Sequence, residues 1–273
     1  LMRPFFENNV LQQQPFKPMV IVVDTTKAGS ASNTFVLPII KSNNEVVKIY
    51  WGDGTNSTGV TGNNTHVYAV GGVYTIKIES KIFGGLYFNG STDVLKVMKI
   101  ISYGDGLIRL SDTVFFDCTN LTITGNISSA KILATSYIYM FGNCVYITSA
   151  PFFNLSRATN VSQMFRNNLS LVSVPFYDFS NVTNVSGTFY GCTALKTIPL
   201  LNLSKVTNAT NMFFGVTLTT TSYSDFLINL ATLSLQSGVS FHGGNSKYNV
   251  AGGVAREYLI SNFGWTITDG GAA

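Results

Sequence analysis

Two histidines, three cysteines and two aspartates in glycine-rich turns are the residues of this chain whose types could do chemistry. A Ser-His-Asp or Cys-His nucleophile needs partners that the fold brings together. Neither His66 nor His242 stands in a nucleophile elbow or beside paired carboxylates. Asp53 and Asp105 lie in Gly-Asp-Gly turns, where a carboxylate could ligate calcium. Calcium takes roughly six to eight oxygens, and no dense Asp cluster or EF-hand loop surrounds either residue, so turn stabilisation is the better account. Cys118, Cys144 and Cys192 form an odd set without metal-ligand spacing, which does not support a disulfide framework. The expectation is a protein that is not an enzyme, with no catalytic, cofactor-binding or metal site.

What must position these residues is a repeat. Met140-Phe141, Met164-Phe165, Thr188-Phe189 and Met212-Phe213 recur every 24 residues. Pro151, Pro175 and Pro199 keep the same step, as do Thr159, Thr183, Thr207 and Asn160, Asn184, Asn208. A period of this length with leucine-like spacing predicts a leucine-rich solenoid, whose coils bury their apolar residues only against neighbouring coils. Leu195, Ile198 and Leu200 are expected to line the interior of one coil, and the Ser/Thr-Asn segment before each Met-Phe to cap a short helical turn. Cys144 and Cys192 share a column with Asn168 between them, two coils or roughly 10 Å apart, beyond disulfide reach. Cys118 lies one coil from Cys144, and small residues filling a core column explain all three. The Asn-x-Ser/Thr triplets follow from the repeat, as ladders satisfying backbone groups.

One column has functional promise. Phe153, Tyr177 and Leu201 follow Phe152, Phe176 and Leu200 in consecutive coils. Neighbours in a strand point to opposite faces, so one column is core and the other exposed. Phe153, Tyr177 and Leu201 are taken as the interaction stripe, the alternative being that loops cover both columns.

The chain is expected to be mainly β: a β-sandwich, a short leucine-rich-repeat solenoid and a small α/β C-terminal cap. Residues 1–18 read as an extended arm, either docking on a partner subunit or disordered. The chain begins at Leu1 rather than Met, which suggests a trimmed or processed start, and this segment lacks the features of an intact signal peptide. Residues 19–103 hold short runs rich in Val, Ile and Tyr: Met19–Asp24, Thr34–Ile39, Val46–Trp51, Val73–Ile78 and Val94–Ile101, which predict sandwich strands. Residues 104–221 carry the repeats, beginning with an imperfect coil at Phe115–Ile123 that an insertion displaces. Residues 222–273 must cover the exposed end of the last coil. There Tyr223, Phe226, Leu227 and Leu230 share a helical face after a capping Ser222. A second helix is expected from Val254 to Phe263, stopped by Gly264, with Trp265–Thr268 as a closing strand.

Composition sets the function class. Only 11% of the 273 residues are charged, against about 25% in ordinary domains; Asn, Thr, Ser and Gly supply the polarity. The net charge of +4 is scattered, with none of the basic stripe that nucleic-acid binding needs. No apolar run approaches the roughly 20 residues of a membrane span.

Two resemblances sharpen this picture. Trp51-Gly52-Asp53-Gly54-Thr55, then His66-Val67-Tyr68, then Gly72-Val73-Tyr74-Thr75-Ile76 resemble the polycystic-kidney-disease (PKD) type immunoglobulin-like module over about residues 19–102. The likeness implies a spacer or adhesive role, with Trp51, Gly52, Asp53, Gly54, His66 and Tyr68 as its structural motif and an orienting hydrogen bond for His66. Over about residues 115–215 the pattern F-x-x-C/N-x-x-L-x-x-I/V-P-x-x-N/D-L/F-S-x-V-T-N-V-S-x-M resembles BspA-type leucine-rich repeats. Those repeats occur on bacterial surface proteins and in phage virion proteins as adhesive modules. The tail, with Gly243-Gly244-Asn245-Ser246-Lys247-Tyr248, is similar to C-terminal ends of phage structural proteins that carry them. The resemblances imply a phage virion structural protein, a capsid decoration, fibre or tail component on the virion surface that contacts other subunits or a host receptor. The alternatives are a bacterial cell-surface adhesin and an accessory module of a carbohydrate-active enzyme.

Overall fold

The structure, a computed structural model, describes residues 17–40, 46–59, 62–80, 82–83, 85–104, 107–108, 112–123, 131–132, 134–152 and 154–273. The expected arm lies almost wholly outside the described residues, as do Asp105 and Phe153. The described chain is mainly β, with antiparallel sheets in its first part.

Strand β1 (Met19–Asp24) alternates buried Met19, Ile21 and Val23 with half-buried neighbours, the period-two pattern of a strand with one core face. It pairs antiparallel with β6 (Val73–Glu79) and β8 (Val97–Tyr103). Beside β6 lie β3 (Lys48–Tyr50) and β4 (Asn56–Thr58), both antiparallel. Strand β2 (Thr34–Ile39) pairs with β5 (Gly62–Val67) as a separate antiparallel sheet. Short strands β7 (Ile82–Phe83), β9 (Leu107–Ile108) and β11 (Lys131–Ile132) form a small parallel sheet. Two strand expectations shift at their ends. Val46–Trp51 contracts to Lys48–Tyr50, and Val94–Ile101 opens with a 3-10 turn at Val94–Lys96 before β8. That turn exists because Lys96 and Asp93, both fully buried, face each other at 3.4 Å. The Lys96 ammonium donates to Ser30 O, Ser30 Oγ, Ala31 O and Thr34 O. The Asp93 carboxylate accepts from Ser30 N, Ser30 Oγ and Val36 N. A buried pair persists only when its remaining hydrogen-bonding capacity is filled in this way.

Among the described residues between Asp112 and Gly215, each repeat, here called a coil, is joined to the next by backbone hydrogen bonds. Tyr137, Tyr139, Phe141 and Asn143 donate their backbone N–H to the carbonyls of Asn160, Ser162, Met164 and Arg166. The same parallel ladder joins Val161, Gln163, Phe165 and Asn167 to Asn184, Ser186, Thr188 and Tyr190, and repeats once more to Asn208, Thr210, Met212 and Phe214. Each rung is therefore satisfied by the next coil. Left-handed residues recur in step at Tyr139, Gln163, Gly187 and Asn211, and at Asn143, Asn167, Gly191 and Gly215. Their counterparts in the first coil are Thr113 and Asp117, two residues out of period, which is the insertion read from the sequence. The Met-Phe segments are turns rather than short helices. Asn160, Asn184 and Asn208 accept from the backbone N–H two residues on, an Asx turn instead of a helix cap. Thr159, Thr183 and Thr207 each give both backbone N–H and hydroxyl to the carbonyl of the threonine one coil back, Thr135, Thr159 and Thr183.

Inside, Phe115, Phe141, Phe165, Phe189 and Phe213 form one column, with successive rings nearly parallel and 5.5 to 6.0 Å apart. Both ends of the column are covered. At the start, β10 (Thr122–Ile123) adds parallel to β8, and Phe88 packs at 6.1 Å from Phe115, so the buried residues of sheet and coils form a continuous core. At the finish, Phe213 donates its N–H to His242 in β12 (Ser240–His242), which takes the place of a further coil. Helix α1 (Thr220–Ala231) buries Tyr223, Phe226, Leu227 and Leu230, the face read from the sequence. Its cap is Thr219, which accepts from Ser222 N; Ser222 instead uses its hydroxyl to receive Ile198 N–H. Helix α2 (Val250–Phe263) starts four residues earlier than expected, because the Asn249 side chain caps it through Gly252 N, and it stops at left-handed Gly264. Strand β13 (Thr266–Thr268) closes the tail, parallel to β12.

Candidate interaction surface

The six motif residues of the first part are drawn into one cluster. Gly52 and Gly54 hold φ values of 89° and 90°, which lets the loop after β3 reverse tightly. A Cβ on Gly52 would come within 2.6 Å of Thr75 O, whereas one on Gly54 meets open space. Asp53 Oδ1 accepts from Thr55 N and Thr55 Oγ1, and its Oδ2 lies 2.7 Å from His66 Nε2. A carboxylate only accepts, so Nε2 carries the proton in that bond. The His66 ring stacks on Trp51 at 4.6 Å and meets Tyr68 edge-on at 4.5 Å. Tyr68 OH donates to Trp51 O, and Trp51 Nε1 to Ser57 Oγ. Burial works against the Asp53 charge, but the hydrogen bonds from Thr55 and His66 outweigh it and hold the carboxyl at about 2. The polar ends of Asp53, Tyr68 and Trp51 are thus engaged by Thr55, His66, the Trp51 carbonyl and Ser57. The cluster fastens the β3–β4 turn to β5 and β6.

The cysteine column is equally inward. All three thiols are buried and free. Cys144 donates to Phe115 O and Cys192 to Phe165 O. Burial pushes the Cys192 thiol up to about 12 and the other two well above their ordinary range, so none is a ready nucleophile. Among the described residues no group of three His, Cys, Asp or Glu side chains could hold a metal.

The interaction stripe is a correction. Tyr177 and Leu201, taken as exposed, are each 1% accessible, and Phe153 lies outside the described residues. The neighbouring column is the open one: Phe152 is 43% exposed, Phe176 60% and Leu200 49%. Leu200 therefore does not line the coil interior, although Leu195 and Ile198 do. Alternation holds, but its sign is set by Tyr177. Its ring stacks on Phe165 and Phe179, and its hydroxyl finds the Pro151 carbonyl at 2.7 Å, so the polar tip is satisfied without water. Val172 and Leu169 are also exposed on the third coil. The result is an apolar column at the same position of three successive coils.

Two further features escaped the sequence reading. One is the Asp93–Lys96 pair. The other is a line of rings and one guanidinium along the coils. Phe116 meets Tyr139 at 5.2 Å, the Arg166 guanidinium covers Tyr190 at 4.5 Å, Tyr190 stacks on Phe214 at 4.8 Å, and Phe214 meets His242. The step of 24 from Arg166 to Tyr190 to Phe214 is visible in the sequence, but the change of residue type hides it. Arg166, Tyr190 and Phe214 meet face to face, while Phe116–Tyr139 and Phe214–His242 meet edge to face, and Phe214 remains 43% exposed.

Residues 112–226 match the family model described as a Mycoplasma protein of unknown function, DUF285. The matched stretch runs from the first coil into α1 and leaves the preceding sheets and the rest of the tail outside it. No curated protein and no solved structure matches the chain. No helix among the described residues is long and apolar enough to cross a membrane.

Proposed function

We propose that this chain is a non-enzymatic structural protein of a phage virion, a capsid decoration, fibre or tail component that contacts neighbouring subunits or a host surface. On this reading a PKD-like sandwich serves as spacer and a leucine-rich-repeat solenoid as the contact module. The observation that carries it is the exposed column Phe152, Phe176 and Leu200. Apolar side chains repeated at a fixed position on stiff coils form a surface suited to docking. The low charge and the Asn- and Thr-rich faces suit a protein working outside the cytosol, and the tail's likeness to phage proteins favours the virion. Replacing Phe176 with Ser should abolish co-sedimentation with particles while leaving the melting temperature within about 1 °C, since an exposed side chain contributes little to folding. Undiminished association of that variant would sink the proposal.

A bacterial cell-surface adhesin is the second reading, favoured by the match to a family described from Mycoplasma. It places the same contact column on a cell envelope. Fractionation separates the two: the protein sediments with particles in one case and with envelopes in the other.

A further inference from the structure

Asn89 and Gly90 make the only Asn-Gly step in the chain. They are the two central residues of a turn that Ser91 N–H closes on Phe88 O at 2.7 Å. Gly90 holds φ at 76°, the positive value that the third residue of a type II turn requires. It is exposed, a Cβ on it would meet nothing within 4 Å, and its N–H makes no hydrogen bond among the described residues. The amide nitrogen that follows an asparagine is the nucleophile that can reach that asparagine's own Cγ through a five-membered ring. In the coils this nitrogen is engaged. Val161 and Val185, which follow Asn160 and Asn184, donate their N–H into the ladder, and Cys144, after Asn143, gives its N–H to Phe141 O and Asn168 Oδ1. Their side chains also crowd the nitrogen. Gly90 has neither obstacle.

A third group completes the arrangement. Asn89 Nδ2 donates to the hydroxyl of Tyr87 at 3.4 Å, and Tyr87 is itself exposed. Nδ2 is the atom that ring closure must expel. An amide nitrogen leaves only after taking up a proton, and a phenol beside it can supply one.

We infer that Asn89 is a self-modifying site, converted through a cyclic imide with Gly90 N as nucleophile and Tyr87 as proton donor to the leaving group. Gly90 N loses its proton to water and forms a bond to Asn89 Cγ. The Cγ–Nδ2 bond then breaks as the Tyr87 proton passes to Nδ2, ammonia departs, and the phenolate recovers a proton from solvent. Water opens the imide on either side. Breaking the bond from Gly90 N to Cγ leaves aspartate; breaking the bond from Gly90 N to the main-chain carbonyl leaves isoaspartate. The net exchange is ammonia for water, with no oxidant or reductant. Isoaspartate routes the main chain through the side chain and lengthens it by one carbon between Phe88 and Ser91. That turn sits where the sheets meet the coils. Phe88 donates its N–H to Val114 O and packs on Phe115, and Asp93, partner of the buried Lys96, donates its N–H to Ser91 Oγ. The added carbon takes the Ser91–Phe88 hydrogen bond out of register and loosens this joint. The site is independent of the exposed coil column, and either can fail without the other.

Ageing the full chain at neutral pH and physiological temperature, followed by peptide mass mapping and isoaspartate-specific methyl labelling, tests it. The peptide holding Asn89 should gain the mass difference between water and ammonia ahead of every other asparagine, with both products present. Gly90→Ala, which sets a methyl beside the attacking nitrogen, should slow conversion about ten-fold. Tyr87→Phe should slow it several-fold. Aged protein should melt about 2 °C lower in proportion to its isoaspartate content, the shift expected for one lost turn bond in a chain of this size; Asn89→Gln should keep its melting temperature through the same treatment. No gain at Asn89 while another asparagine converts, or aspartate without isoaspartate, would overturn the inference. An unchanged rate in Tyr87→Phe would remove the phenol from it, and an equal loss of melting temperature in Asn89→Gln would remove the loosened joint.

Discussion

Asn168 replaces the cysteine of its column, and the exchange carries a cost that can be measured. The side chain is fully buried; its Oδ1 accepts from Cys144 N at 3.1 Å, but its Nδ2 has no partner. An unpaired buried donor costs about 1–3 kcal/mol. Asn168→Cys removes it and places a thiol one coil from Cys192, where the equivalent sulfur donates to the carbonyl of the preceding coil's phenylalanine. What is lost is the bond to Cys144 N, worth about 0.5–1.5 kcal/mol. That amide retains Phe141 O at 3.3 Å, so the loss falls at the lower end. The net expectation is a gain of about 1 kcal/mol, or roughly 2–4 °C for a chain of this size. Urea and thermal unfolding followed by circular dichroism, under reducing conditions, read it directly. The reciprocal Cys192→Asn should lose a similar amount. A fall in the midpoint for Asn168→Cys would refute the reasoning, showing that the amide's single hydrogen bond outweighs its orphaned donor.

Three other outcomes follow from the geometry. Gly52→Ala should destabilise by about 1–3 kcal/mol, since it combines positive φ with a clash against Thr75 O, and by more than Gly54→Ala, which meets only the backbone term; chemical denaturation of the pair decides. Asp53 is held at about 2 in the folded chain against an ordinary 3.8, so its stabilisation is complete above about pH 4 and fades as pH falls toward 2. With a fifth of the side chain open to solvent the effect is about 1 kcal/mol, and Asp53→Asn should flatten that part of the melting-temperature profile. Lys96→Met leaves the Asp93 charge buried without its cation and should cost about 3–5 kcal/mol by equilibrium unfolding.

The coil period, the positions of its phenylalanines and the apolar face of α1 were legible because each rests on local spacing. The stripe was not, since alternation names two faces without saying which is inside. The deciding fact, a hydroxyl reaching Pro151 from Tyr177, is a contact between coils that no single coil encodes. A tyrosine invites an outward reading, and its buried carbonyl partner reverses that. Lys96 is invisible for the same reason: the carbonyls that solvate it belong to Ser30, Ala31 and Thr34, more than 60 residues away in the chain. Thr219 displaced Ser222 as the cap because Ser222 was already bound to Ile198, again a tertiary choice.

The ladder has an evolutionary consequence. Because each rung from Tyr137 to Gly191 joins an amide to the carbonyl 23 residues on, and the cover at β12 accepts the Phe213 amide in turn, a gene can gain or shed whole 24-residue cassettes within that stretch without rewriting the segments that flank it. Such a molecule changes its reach in increments of about 5 Å, as a telescoping rod does, while keeping the fittings at its two ends.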